Sequence, residues 1–584
     1  MTRGRLAPQI RNRDCVLKSQ QNPTQSRSAC RSIAGLCIFL LGLFGIASSS
    51  AASEPPAQAA SGSSSPPAPA AQSAALIDLG KIPIGADDSG TYWATFDPVP
   101  LNQTPPSGAL PPSPIVIPEP DKKDKANGNG EDKKDEGLKI EEDERKLLPP
   151  GWNLHAQTTL IQNFDPGIRA LYSGPNSLST QRDREGSISA DLFLGAPLWQ
   201  GAEFHFDLLM WQGFGLSDSF GLEAFPNGDA YKAGSETPRF MAAHLFVRQT
   251  IGLGGEQQDV PDGQYTLPGK QDVSRLTITV GRLNMAELFD NVIYNTDPHT
   301  QFMSWANTLL TWDYPADTIG FTTGFAIDLN QPNWALRYGW FQLPSIPNGF
   351  TSDDRILMWP VEPGEITSDG NFWKQWGMIL EFERRWRFGD HPGSVLLSAW
   401  IDHGLLADYN AATTLLVRSP PPANTPAGVE VTVPQAAFSY RSKYGFGVDW
   451  QQEVAKNVGT FARFGWQDGE TAAAVFTDVD WTVQLGVSVK GAAWHRPNDT
   501  FGLLGNIAGA SSDQVAFLKA GGTGILNGDG NLGYTPEMSL ETYYDIALAK
   551  GCNLAFDYQF FGNPAFNADR GPVNVFATRL HWEF

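Results

Sequence analysis

Cysteine is nearly absent from the body of this chain. Of four in 584 residues, Cys15, Cys30 and Cys37 lie near the N-terminus and only Cys552 lies further on. Once the N-terminal segment is cleaved no intrachain disulfide can form, and Cys552 reads as a small strand residue rather than a nucleophile. Positive charge is also short: 42 Lys and Arg stand against 63 Asp and Glu, a net charge of −21. Such acidity excludes a nucleic-acid partner, which needs a basic footprint. Long apolar runs are missing too. The one such run, Ile33 to Ile46, is shorter than the roughly 20 residues of a spanning helix, and a mean hydropathy of −0.26 excludes a bundle of membrane helices. There is no zinc spacing, P-loop or nucleophile elbow. The chain is therefore read as a non-enzyme without metal or cofactor.

What is present begins with a targeting signal. Arg3, Arg5, Arg11, Arg13, Lys18, Arg27 and Arg31 precede the apolar run, and small residues follow through Ala52. Residues 1–52 read as a bacterial secretory signal peptide. Residues 53–150 are first rich in Pro, Ala and Ser and then mixed in charge, the latter reading as a solvated spacer, with a short helix at Leu138–Leu148 the lesser alternative. Such a composition cannot offset ordering entropy with buried surface, so a largely disordered periplasmic arm is expected. Its length and place suggest a cell-wall contact.

Residues 151–584 divide into sixteen segments that read as strands: 152–163, 186–197, 201–212, 239–252, 274–283, 318–329, 333–343, 373–386, 393–404, 442–453, 458–467, 480–490, 501–509, 537–549, 552–561 and 573–584. Many alternate between apolar and polar residues. Trp481, Val483, Leu485, Val487 and Val489 oppose Thr482, Gln484, Gly486, Ser488 and Lys490, which places the two sets on opposite faces of one strand. The connections alternate in length, short after even segments and long after odd ones, as in outer-membrane barrels. Two short-side links break the rhythm, clearly at 253–273 and mildly at 491–500. The last segment ends on Phe584 after Phe576, Leu580 and Trp582, with Arg579, His581 and Glu583 on its other face. A terminal aromatic suits a strand that closes a barrel at a membrane interface. The fold expected is all-β, a transmembrane antiparallel β-barrel of sixteen strands with a disordered N-terminal arm, wide enough to leave an aqueous channel.

Gln212-Gly-Phe-Gly-Leu-Ser-Asp-Ser-Phe-Gly-Leu222, Phe246-Val-Arg-Gln-Thr-Ile-Gly-Leu-Gly-Gly-Glu256, Thr279-Val-Gly-Arg-Leu-Asn284 and Leu288-Phe-Asp290 with Tyr294, Asp297-Pro298 and Phe302 to Trp305 carry a resemblance. They resemble the OprB-type carbohydrate-selective porins over roughly residues 150–584. The resemblance implies a sixteen-stranded channel in the outer membrane of a Gram-negative bacterium that passes monosaccharides and similar small neutral solutes. Small carbohydrates, outer-membrane lipid and the barrel-assembly machinery are then the partners expected. A porin for ions or another solute stays open, as does a soluble exported lectin or glycoside hydrolase.

A sugar offers hydroxyls to polar pairs and C–H faces to aromatic rings, and must bind weakly enough to leave. Alternation turns Glu203, His205 and Asp207 inward, with His244, Phe246 and Arg248 beside them. Arg248 offers a rigid planar array of donors, to sugar hydroxyls or to a lumen carboxylate such as Glu203 or Asp207. The third long connection, 284–317, is expected inside the barrel, as is common in porins. It would bring Asp290, Asn291, Tyr294, Asp297, Phe302, Trp305 and Trp312 to a constriction, as sugar contacts or as packing. Glu381 and Glu383 could suggest a glycosidase, but with Arg385 on the same strand face they read as lumen charge. Asn527 to Asn531 hints at calcium without the full ligand spacing, and reads as a polar loop tip.

Overall fold

The computed structural model describes residues 148–584 apart from 175, 231–233, 306–310, 318–319, 345–357, 360–372, 419–432 and 476. The signal peptide, the arm up to residue 147 and the alternative 138–148 helix, all but its last residue, lie outside the described residues.

Sixteen antiparallel strands form the wall. They are β1 (Asn153–Asp165), β2 (Asp183–Trp199), β3 (Ala202–Gly213), β4 (Ser235–Gly252), β5 (Arg275–Leu283), β6 (Thr322–Gln331), β7 (Trp334–Gln342) and β8 (Trp376–Phe388), then β9 (His391–Ala407), β10 (Phe438–Ala455), β11 (Val458–Gln467), β12 (Trp481–Gly491), β13 (Arg496–Gly509), β14 (Glu537–Ala549), β15 (Cys552–Gly562) and β16 (Val573–Glu583). Each pairs with its neighbours in sequence, and β16 returns to β1 in a register running from Gln157 opposite Glu583 to Phe164 opposite Phe576. Closure leaves no wall strand with an unpaired edge.

The alternation seen in sequence is laid out inside out. On β12 the polar Thr482 and Gln484 are buried, whereas Val483 and Leu485 are 41% and 64% exposed. On β8 Glu381 and Glu383 are buried while Leu380 is 50% exposed. A water-soluble sheet would hide the apolar set. Here the lumen is filled with polar side chains and the outer face is a band of Leu, Val and Phe, the arrangement a lipid bilayer demands. Among the described residues no helix is long and apolar enough to cross a membrane; the strands do the crossing.

All sixteen expected strands are found. The link expected at 491–500 is shorter than read: a single turn, Ala492–Trp494, leads directly into β13 at Arg496. Its first residues, Arg496-Pro-Asn-Asp-Thr500, lack an apolar alternation, so their strand character was hidden in the sequence. The 253–273 irregularity is real. Gln257–Val260 pairs with Gly269–Asp272 in a separate hairpin on the side of the short turns. Of the polar loop tip read at Asn527–Asn531, Gly530 and Asn531 are exposed, but the segment is anchored at its start. Asn527 is buried and donates through Nδ2 to Glu223 Oε1 at 2.6 Å, joining two long loops.

Candidate functional site

The loop 284–321 leaves β5 and is fastened to the lumen face of distant strands. Asp290, whose backbone is left-handed (φ 58°), donates its N–H to Glu381 Oε2 of β8 at 2.6 Å. Its carboxylate takes Arg463 Nη2 of β11 at 2.6 Å, and the same guanidinium holds Asp449 of β10 at 2.7 Å through Nε. Ile293 N–H reaches Gln451 Oε1 of β10 at 3.0 Å. Further along, Met303 and Ser304 donate their N–H groups to Glu541 of β14 at 2.5 and 3.1 Å. Arg579 of β16 donates to the carbonyls of Pro298 and Gln301 at 2.6 and 2.8 Å. The loop thus spans the lumen between β8 and β16. Charged wall groups holding backbone N–H and C=O are the reason an irregular segment is stable at membrane depth.

The loop aromatics divide into two kinds. Phe302 is buried, its ring edge-on to Tyr543 at 5.0 Å and to Phe461 at 5.9 Å. Trp312 packs with Phe289 and Tyr314 in the core beneath the loop. Tyr294 and Trp305 are half-buried: Tyr294 stacks on Phe461, and Trp305 on Phe225 at 5.3 Å. Burial first, then the Glu453 carboxylate, pushes the Tyr294 phenol up to about 12, so it is a neutral donor at physiological pH. Asp297 accepts Thr300 Oγ1 at 2.8 Å and the His299 N–H at 2.9 Å. The His299 ring lies between Asp229 (3.0 Å) and Asp297 (3.1 Å), tying this loop to the 214–234 loop. Asn291 donates weakly to the Glu287 carbonyl at 3.4 Å.

The wall candidates form a second group nearer the short-turn end. Arg248 Nη1 donates to the Tyr265 carbonyl at 2.7 Å and lies 3.7 Å from Glu203, while its guanidinium sits over the Phe246 ring at 5.2 Å. Asp207 and His244 meet at 3.1 Å, and both contact the Tyr265 hydroxyl, at 3.1 and 2.7 Å. His244 Nε2 lies 3.0 Å from Glu287 Oε2 of the long loop, which is where the two groups touch. Glu381 and Glu383 clamp Arg337 at 2.7 and 2.6 Å, with Arg385 2.9 Å from Glu383, a lumen charge cluster as read.

Tyr265, Glu287, His299 and Glu541 are not singled out by the sequence, which turns Arg579 to the polar face of the last strand without giving it a role in holding the loop. Glu541 and Arg579 were within reach, since alternation on β14 and β16 turns them inward. Nothing in the sequence marks Tyr265 or His299, because loops carry no periodicity.

The family model for carbohydrate-selective porins of the OprB family matches residues 176–584. No curated relative matches. Among solved structures, OprB of Pseudomonas putida at high pH is 16% identical with a TM-score of 0.55, covering 76% of this chain and 97% of that one. OccK5 (OpdH) of Pseudomonas aeruginosa is 9% identical with a TM-score of 0.36, covering 74% and 98%. The first supports the sixteen-stranded barrel. A closed barrel with an apolar outer band and a charged, loop-crossed lumen is the architecture of an outer-membrane channel, and with the family match this chain belongs to the carbohydrate-selective porins of the OprB family.

Proposed function

We propose that this porin lets monosaccharides and similar small neutral solutes diffuse passively across the outer membrane. The observation that supports it is that the carboxylates where the long loop crosses the lumen are held against guanidinium groups. Arg463 sits between Asp290 and Asp449, and Arg337 between Glu381 and Glu383. A carboxylate held at contact distance by a guanidinium projects less field than a free one, so the crossing offers hydrogen-bonding edges with only a modest net negative charge. The half-buried rings of Tyr294 and Trp305 add surfaces for sugar C–H faces. Occupancy should stay weak: millimolar affinity, about −4 kcal/mol, allows both capture and release.

A second reading, weak cation passage, is favoured by Glu541, Asp545 and Asp557, which share Arg579 as a nearby positive group, with Lys490 also near Asp545. Swelling of liposomes carrying the purified porin separates the two. Glucose should enter faster than a disaccharide and faster than an amino acid of similar size. Equal rates for glucose and the amino acid would overturn sugar selectivity, and no swelling would overturn the pore.

A further inference from the structure

The short-turn side of this barrel has one long connection, 253–274, and it does not stay outside. Its stalk, Gln257–Val260 with Gly269–Asp272, is largely exposed, but its tip turns back so that Tyr265, Thr266 and Leu267 are buried. The tip is fastened to the lumen faces of the first four strands. Asn153 Nδ2 of β1 donates to Asp262 Oδ1 (2.7 Å), to the Gly263 carbonyl (3.0 Å) and to the Thr266 carbonyl (2.9 Å). Tyr265 lies edge-on to Phe193 of β2 at 5.1 Å, and its hydroxyl meets Asp207 of β3 and His244 of β4. On β2, a Cβ at Gly195 would come within 2.1 Å of Asn153 Oδ1 and 2.9 Å of Leu267 Cδ2. The wall is shaped to admit the tip.

We propose that residues 261–267 form a second constriction, in series with loop 284–321, that narrows the periplasmic exit of the channel. A turn that only joined β4 to β5 would need two residues, as between β6 and β7 or β10 and β11. This one carries a buried tyrosine instead, placed where Arg248 and Glu203 also face the lumen. Around the rim the groups left partly open are polar, among them His155, Asp262 and Gln264, so a passing polyol would meet hydrogen-bonding edges a second time. His244 touches both the tip and Glu287, so the two constrictions share one fixed strut.

The test uses the full-length porin in planar bilayers, with the potassium chloride current as readout. That readout is independent of sugar selectivity, so its failure is distinct from failure of the proposed substrate class. One variant replaces residues 253–274 by Asn-Gly, a turn suited to a two-residue hairpin. Two similar constrictions in series share the resistance, so removing one should raise single-channel conductance about twofold. The disaccharide-to-glucose swelling ratio should rise with it. A second variant, Tyr265→Ala with Asp262→Ala, keeps the turn but frees its tip, and should give a noisier current with a higher mean. This second variant decides the matter if the shortened barrel fails to assemble. Unchanged conductance in an assembled variant overturns the proposal.

Discussion

Arg463 is the tie that the barrel can least easily replace. Its guanidinium is buried between Asp290 of the long loop and Asp449 of β10, at 2.6 and 2.7 Å. Arg463→Met keeps the length of the side chain and strands two carboxylates that are themselves buried. Breaking a buried pair by removing one partner costs about 3–5 kcal/mol, chiefly because the remaining charge has no counterpart. The barrel ladders do not depend on this contact, so the cost falls on the docking of residues 290–293. At about 1.4 kcal/mol per tenfold, the undocked population of that stretch should rise by roughly 10²- to 4 × 10³-fold. Hydrogen exchange reads it directly, because the Asp290 and Ile293 amides are held only by lumen side chains, Glu381 and Gln451. Both should exchange faster by about that factor, while amides of β10 and β11 keep their rates. Arg463→Gln combined with Asp290→Asn and Asp449→Asn removes the stranded charge and should restore much of the protection. Native exchange at Asp290 and Ile293 in the single variant would refute this account of how the loop is held.

His299 gives a pH dependence with a definite sign. Burial opposes its charge, but Asp297 and Asp229 outweigh it and hold the ring well above its ordinary value of 6.5. A group raised on docking contributes fully below its ordinary value and loses that contribution as pH rises through the raised one. The clamp between the 214–234 and 284–321 loops should therefore hold at neutral pH and loosen on the alkaline side. Current noise should grow with alkaline titration in the native porin and stay flat in His299→Gln; a native current indifferent to alkaline pH would count against it. Gly459→Ala should displace Tyr294, since the new Cβ would meet its ring carbons at 2.1 Å, and should change glucose swelling with the barrel still heat-modifiable on gels. Arg248→Ala should assemble and alter sugar permeation by freeing Glu203 and the Tyr265 carbonyl. Unchanged swelling would leave Arg248 a purely structural contact.

The wall was legible strand by strand because alternation is a local property. A strand that separates lipid from lumen must repeat every two residues, and each such segment declares itself without its neighbours. Where that signal lapsed, at Arg496–Thr500, the strand start was misplaced. The lumen was legible only in part. Glu203, Asp207, His244 and Arg248 were turned inward by their place on β3 and β4, but the group they form includes Tyr265, which no period could mark. Asp290 and Phe302 belong to a loop expected inside the barrel, yet they hold that loop in place, while Tyr294 and Trp305 keep open faces. That division depends on which wall group each one meets.

The amino-acid sequence by itself determined the barrel: an even number of alternating strands, an apolar outer face, long and short connections in turn, and a C-terminal strand shaped to close the ring. These follow from short-range patterning against two solvents. Tertiary structure alone decided what fills the ring. The path of loop 284–321, the inward fold of 253–274 against Asn153 and the pairing of Arg463 with Asp290 join residues more than a hundred positions apart. Such contacts are selected by the cost of leaving buried charge and backbone polar groups unpaired, and that cost is defined only once the wall has closed around them.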